Sequence, residues 1–297
     1  MTHNADWLSK NIILLMGKGG VGKTTVAQAA ARLLASQGKR TLLCEVLSVS
    51  GGKHKLEQIA PNLMHIALRS DECFREYIIL KLKLKALYTA FLGSKITQYL
   101  ERAAPGVREM VLLGKIWFER KNFDHIIVDM PSTGYALSMI HTPFNFANLF
   151  PGGPIYNDSQ EMVKTFSNPN ETAFVIVSLA EEMPIQESLE MAENLKQLVP
   201  QNPAWLVLNR LIHVSTESKE LYQKKGSRLS DKEKLSPLWL ALAYLINREV
   251  QQSTFIADLQ TSWAPYLKPW MEINEASEKN DIERAQVIAN SMEGANG

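Results

Sequence analysis

Gly17-Lys18-Gly19-Gly20-Val21-Gly22-Lys23-Thr24-Thr25 decides how the rest of the chain is read. The stretch has the form G-x-x-x-x-G-K-T, a loop whose backbone N–H groups close around phosphate oxygens. An apolar run from Asn11 to Met16 precedes it, and Val26 to Leu34 follows with helical spacing and strong helix formers. Glycine lets the backbone approach phosphate where a Cβ would intrude. The start of the helix adds free donors and the positive end of its dipole. Gly19, Gly20, Val21, Gly22, Lys23, Thr24 and Thr25 are therefore candidates for binding a nucleoside di- or triphosphate. The Lys23 ammonium is expected on the β- and γ-phosphates and the Thr24 hydroxyl on Mg²⁺. Four glycines at these places arise by chance in roughly 1 of 40,000 windows at ~7% glycine. A chain of 297 residues offers far too few windows to supply the match by accident.

Outward from the loop, Gly38-Lys39-Arg40 ends the first helix, and Thr41 to Val46 reads as a second buried strand, which makes the unit of a parallel sheet. Leu63 to Leu68 reads as an edge strand. Residues 71–118 read as helical: Leu80 to Lys85 alternates, but Tyr77, Leu80, Leu84, Leu87 and Phe91 fall at helical spacings. Asp124 to Asp129 is another buried strand. Its terminal acid, Asp129, stands where a phosphate-binding site holds Mg²⁺ through water. Residues 138–170, with Phe144, Phe146 and Phe150, complete a helical cap. Ala173 to Ser178 is a strand, a helix opens near Glu181, and Ala204 to Arg210 is a strand with the polar tip Asn209-Arg210. Residues 214–235 read as a polar loop, and Ser236-Pro237 starts a long helix. Trp270 to Ile273 is a last strand. Asp281 to Met292 is a closing helix with Ile282, Ala285, Ile288, Ala289 and Met292 inward. The expected fold is α/β, a doubly wound, mostly parallel sheet of about seven strands. It forms a single domain over 1–297, with a helical subdomain inserted at 71–118 and 138–170.

Composition removes several function classes. A net charge of +1 gives no electrostatic footprint for nucleic acid. Cys44 and Cys73 cannot make a disulfide framework or a complete zinc site. Met1 to Trp7 lacks the charged region of a signal peptide, and no uncharged apolar run reaches the roughly 18 residues that a transmembrane helix needs. The expected location is cytoplasmic.

Lys18, directly after the first glycine, makes the variant K-G-G-x-G-K-T, which resembles the deviant Walker A group of P-loop NTPases: MinD, ParA, the nitrogenase iron protein, and the ArsA ATPase with its tail-anchored-protein-targeting relatives. The resemblance implies that Lys18 reaches a partner's nucleotide across a dimer, homodimeric or heterodimeric, closed by the switch loops. Asp129-Met130-Pro131-Ser132-Thr133-Gly134-Tyr135 is similar to the D-x-x-x-T-G switch of the ArsA branch, with Tyr135 where a histidine is common. The same branch places Asn209 against adenine, with Arg210 beside it, and implies ATP or ADP and Mg²⁺ as ligands. Its first switch carries an aspartate where this chain has Leu47, which can neither accept a proton nor orient water. Either Glu45, two residues earlier, substitutes, or the chain binds ATP and turns it over poorly.

Three functions are compatible: a Mg²⁺-ATPase coupled to a client, with Lys18, Lys23, Asp129 and Glu45 as its catalytic set; a nucleotide-loaded switch that hydrolyses little; and a MinD- or ParA-like positioning ATPase. The last needs a basic terminal helix or a basic DNA surface, and neither is present. The apolar stripe of the helical insert is expected either to pack within that subdomain or to form a groove for an apolar client helix. Two scattered cysteines are too few for a metalloid site.

Overall fold

The alternating apolar and helical runs fold into strands β1 (Ile12–Met16), β2 (Thr41–Val46), β3 (Glu57–Ala60), β4 (Leu63–Leu68), β5 (His125–Asp129), β6 (Thr172–Leu179), β7 (Trp205–Leu211) and β8 (Met271–Asn274). The helices are α1 (Lys23–Ser36), α2 (Ser70–Leu82), α3 (Val107–Glu119), α4 (Thr133–Leu149), α5 (Pro154–Ser167), α6 (Glu182–Leu198), α7 (Thr216–Gly226), α8 (Pro237–Trp263) and α9 (Asp281–Gly294). This computed structural model describes residues 6–47, 54–82, 106–149, 152–226, 229–230, 235–263, 271–275 and 281–294.

The strands make one sheet in the order β3-β4-β2-β5-β1-β6-β7-β8. Every neighbouring pair is parallel except β3 and β4. β1 lies between β5 and β6, and its five residues are buried on both faces. That burial explains a near-continuous apolar run rather than alternation. Ile13 and Leu15 face one layer with α1 and α9. Ile12, Leu14 and Met16 face the other, with α3, α4, α5, α6 and the end of α8. Ala27, Ala30 and Ala31 of α1 meet Ala285, Ile288, Ala289 and Met292 of α9 in the first layer, where small side chains permit close helix approach. Truncating Ile288 there costs about 2–5 kcal/mol by the usual cavity rule.

The α/β, doubly wound reading stands, with four corrections. The sheet has eight strands among the described residues, one more than expected. Leu63–Leu68 is not the edge, because β3 pairs antiparallel outside it through a turn at Asn62, whose φ is +57°. Residues 216–226 within the expected loop form a helix with no buried residue. Ile282 is 61% exposed, although the other four inward positions of α9 are buried as expected. Helix is the right reading of Leu80 to Leu82. Leu84, Leu87, Phe91 and Phe150 lie outside the described residues.

Candidate functional site

β1 delivers the glycine loop to the carboxyl edge of the sheet, where chain order reverses on either side of it and α/β proteins place their ligands. Two glycines are required by packing. Gly17 has φ +144°, and a Cβ there would lie 2.2 Å from the carbonyl oxygen of Val177 in β6. Gly22 has φ +91°, and its Cβ would meet Nδ2 of Asn209 at 2.4 Å. Gly22 is also the residue before α1, so Lys23, Thr24 and Thr25 form a first turn whose N–H groups have no partner within the helix. The first bond back is from the Val26 N–H to the Gly22 carbonyl, at 3.0 Å. The result is a cradle of aimed donors at the positive end of a helix.

Lys23 is half-buried and Asp129 is buried. Lys23 Nζ donates to the Lys18 carbonyl at 3.0 Å, curled over its own loop. Burial pushes its pKa down, against the upward pull of Asp129. The Thr24 hydroxyl donates to Asp129 Oδ2 at 2.6 Å. Burial raises the Asp129 pKa, and the Thr24 bond and the Lys23 charge oppose the rise. Asp129 Oδ1 is buried with no hydrogen-bond partner. A buried carboxylate oxygen without a partner normally signals an ion or water. Hard oxygen donors from a carboxylate and a threonine suit Mg²⁺, so the residues fit the cation the motif implies.

The remaining expected residues have varied places. Glu45 lies beside Asp129 in register across β2 and β5, half-exposed, with its carboxylate 3.6 Å from His65 Nε2. Leu47 directly follows β2, and residues 48–53 after it lie outside the described set. Tyr135 opens α4 and packs on the core through its ring. Lys18 does not point away from its own chain: its ammonium pairs with Glu187 of α6 at 2.5 Å. Asn209 is buried, and its amide donates to the Val21 carbonyl at 2.9 Å, tying the tip of β7 to the glycine loop. Its donor is thus spent on the loop, the strand-end anchoring that Asn also favours.

Arg210 holds φ +58°, rare for a non-glycine residue. Gln252 of α8 clamps that backbone, donating to the Arg210 carbonyl at 3.1 Å and accepting from the Ile212 N–H at 2.8 Å. The bend opens a cleft of about 260 Å³ lined by Thr25, Asn209, Arg210, Glu275, Arg284 and Ile288. It adjoins the first turn of α1 through Thr25. Sequence reading missed Glu187, Gln252, Glu275 and Arg284. Glu187 and Gln252 act through partners far away in the chain, Glu275 and Arg284 line the cleft, and none carries a local signal.

Residues 10–151 and 154–250 match the anion-transporting ATPase family. The mycobacterial ATPase BagA of Mycobacterium tuberculosis is 31% identical over 235 residues, covering 70% of this chain and 67% of that protein. A putative arsenical pump-driving ATPase of Aquifex aeolicus is 24% identical over 254 residues, covering 70% of this chain and 83% of that one. A protein named likewise from Halobacterium salinarum is 23% identical over 227 residues, and the match takes in 35% of its length. With the phosphate cradle, the Thr24–Asp129 pair and a match over most of its length, the chain belongs to the anion-transporting, ArsA-type ATPase family and is a P-loop ATPase.

Proposed function

We propose that this ATPase is a Mg²⁺-dependent dimeric switch that couples ATP binding and hydrolysis to the state of a client. The observation that carries the reading is the geometry at Asp129: one carboxylate oxygen on the Thr24 hydroxyl at 2.6 Å, the other buried and open, with Lys23 facing them from the glycine loop. Phosphoryl transfer is catalysed by positioning and charge neutralisation. Thr24 and Asp129 would hold Mg²⁺, which neutralises charge on the β- and γ-phosphates when bound. The chain's own part is to fix the phosphates on the amides of residues 19–25 and to set the Lys23 ammonium against them. The partial burial of Lys23 would strengthen that interaction.

Glu45 is the acid proposed to orient the attacking water. It stands at the carboxyl edge beside Asp129 and is half-exposed, so it can reach into the site. Lys18 is proposed to exchange Glu187 for a partner's nucleotide when two chains close. Leu149 and Ile155, exposed on α4 and α5, offer apolar contact to a client helix. Cys44 and Cys73 are buried thiols whose pKa values burial raises, which does not suit metalloid ligation.

Leu47, where the resembling switch has an acid, favours a second reading: a subunit that binds ATP tightly and needs a better-equipped partner to turn it over. Steady-state ATP turnover with calorimetric nucleotide binding separates the two. The first reading expects Mg²⁺-dependent turnover in the isolated chain, abolished in Lys23→Ala, and reduced in Glu45→Gln with nucleotide affinity retained. Tight binding without turnover in the isolated chain selects the second. No nucleotide binding in the folded chain refutes both.

A further inference from the structure

Helix α8 has two halves with opposite surroundings. Its carboxyl half is held by the fold: Leu259 and Trp263 are core residues, and Gln252 clamps the end of β7. Because Gln252 sits at the carboxyl edge of the sheet, the 15 residues back to Pro237 run past that edge for about 22 Å at 1.5 Å per residue. The arm therefore stands on the same side of the sheet as the glycine loop. Arg248 braces its base with an ion pair to Glu181, just past the end of β6, at 2.6 Å.

The arm's composition does not suit water. Residues 238–246 are Leu-Trp-Leu-Ala-Leu-Ala-Tyr-Leu-Ile, and no charge occurs from Pro237 to Asn247. A helix that is apolar all round belongs in an interior. One side is covered, since Trp239 stacks on Tyr222 of α7 with ring centroids 4.8 Å apart. The other side is not. Leu238 is 82% exposed, Leu235 70%, Tyr244 60%, Leu240 50% and Leu245 40%. These five offer on the order of 600 Å² of apolar side chain, at or above the ~300–600 Å² of the largest patch on a typical monomer. A standard interface takes about 800 Å² from each partner, of which about 56–65% is apolar. The patch is the size one half of such an interface needs.

We propose that the uncovered face of the α8 arm is the seam of a nucleotide-independent homodimer, in which Leu238, Leu240, Tyr244 and Leu245 pack against the same residues of a second copy. Charge selects this occupant. A two-fold contact sets each patch against itself, so a charge near the axis meets its own sign. A face with no charge over eleven residues avoids that repulsion. Among the described residues, three pairs of charges near the arm are made in cis: Lys219 with Glu249, Lys224 with Glu220, Arg248 with Glu181. An anionic lipid surface would need net positive charge, and the described residues of α7 and α8 carry four basic and four acidic side chains. The seam is separate from the contact proposed for Lys18, because it needs neither ATP nor the glycine loop.

Light scattering behind gel filtration, on nucleotide-free full-length protein at micromolar concentration, tests it. Wild type is expected at twice the chain mass, and Leu238→Asp/Tyr244→Asp at the chain mass. The variant should keep wild-type far-UV circular dichroism and nucleotide affinity per chain. Leu240→Ser/Leu245→Ser provides a milder change on the same face, expected to weaken association at least tenfold. Lys18→Ala should stay dimeric without nucleotide, which separates failure of the seam from failure of the nucleotide switch. A monomeric wild type, a folded double aspartate variant that stays dimeric, or a monomer that binds neutral lipid vesicles through this face overturns the proposal.

Discussion

Replacing Gly22 with alanine tests whether the glycine loop is built against β7 as well as around phosphate. The backbone sits at φ +91°, where an L-residue costs about 1–2 kcal/mol. The new Cβ would stand 2.4 Å from Asn209 Nδ2, about 1 Å closer than ordinary contact allows. Asn209 is buried and short, so the amide must withdraw and release the Val21 carbonyl it holds at 2.9 Å. A buried carbonyl left without its donor costs about 1–3 kcal/mol. Gly22→Ala should therefore destabilise by about 2–5 kcal/mol in total. Asn209→Ala alone loses the same hydrogen bond, about 1–3 kcal/mol, and removes the obstacle. In the double variant the bond is lost once and the clash is gone, so the two costs overlap by about 1–3 kcal/mol. Urea midpoints for the four proteins of the cycle, with ADP affinity measured beside them, give the coupling. Additive costs would refute the contact, and so would an alanine at position 22 that leaves stability and ADP affinity unchanged.

Glu76 joins His54, 3.3 Å away, and Lys115, 2.8 Å away, between α2 and α3. The His54 hydrogen bond and then Lys115 hold its carboxyl down at about 2, from an ordinary 4.5. A depressed carboxylate contributes stability above its unfolded pKa and loses it as pH falls toward the folded one. Glu76→Gln should cost about 1–2 kcal/mol at neutral pH after allowance for solvent screening, with the deficit closing between about 4.5 and about 2; parallel urea profiles across that window would contradict it. Burial pushes the Cys73 thiol up to about 12 and Cys44 higher still. Neither should react with an aromatic disulfide reagent at neutral pH in the native protein, and both should after denaturation. Rapid native labelling would show that the layer beneath α2 opens.

What the sequence revealed of the fold follows burial. β1, β2, β5, β6 and β7 are buried on both faces, so their apolar runs are strong and local. β3 was invisible for the opposite reason. Three of its four residues are exposed, and its pairing is set by the Pro61-Asn62 turn rather than by a pattern of its own. That dipeptide was the available signal, since Asn tolerates the left-handed conformation Asn62 adopts. α7 buries nothing, so no apolar stripe marks it, and pairs such as Glu220–Lys224 are its sign. Ile282 failed because apolar identity at the right spacing does not say how wide the covered stripe is.

The site divides along the same physical line. Lys23, Thr24 and the glycines are legible because one short loop must satisfy one ligand, and Asp129 because an acid ending a buried strand needs a reason. The contacts that hold the loop in place span 188 positions from Asn209 to Val21 and 169 from Lys18 to Glu187, and no local rule separates Glu187 from its neighbours on α6. Arg210 shows why this matters. An arginine at φ +58° is strained, and nothing in Leu208-Asn209-Arg210-Leu211 announces it. The strain persists because Gln252, on the helix that carries the apolar arm, bonds the backbone on both sides of the bend. Those same two bonds fix where α8 leaves the sheet. The bend that lines the cleft and the anchor that holds α8 therefore share the same pair of Gln252 hydrogen bonds.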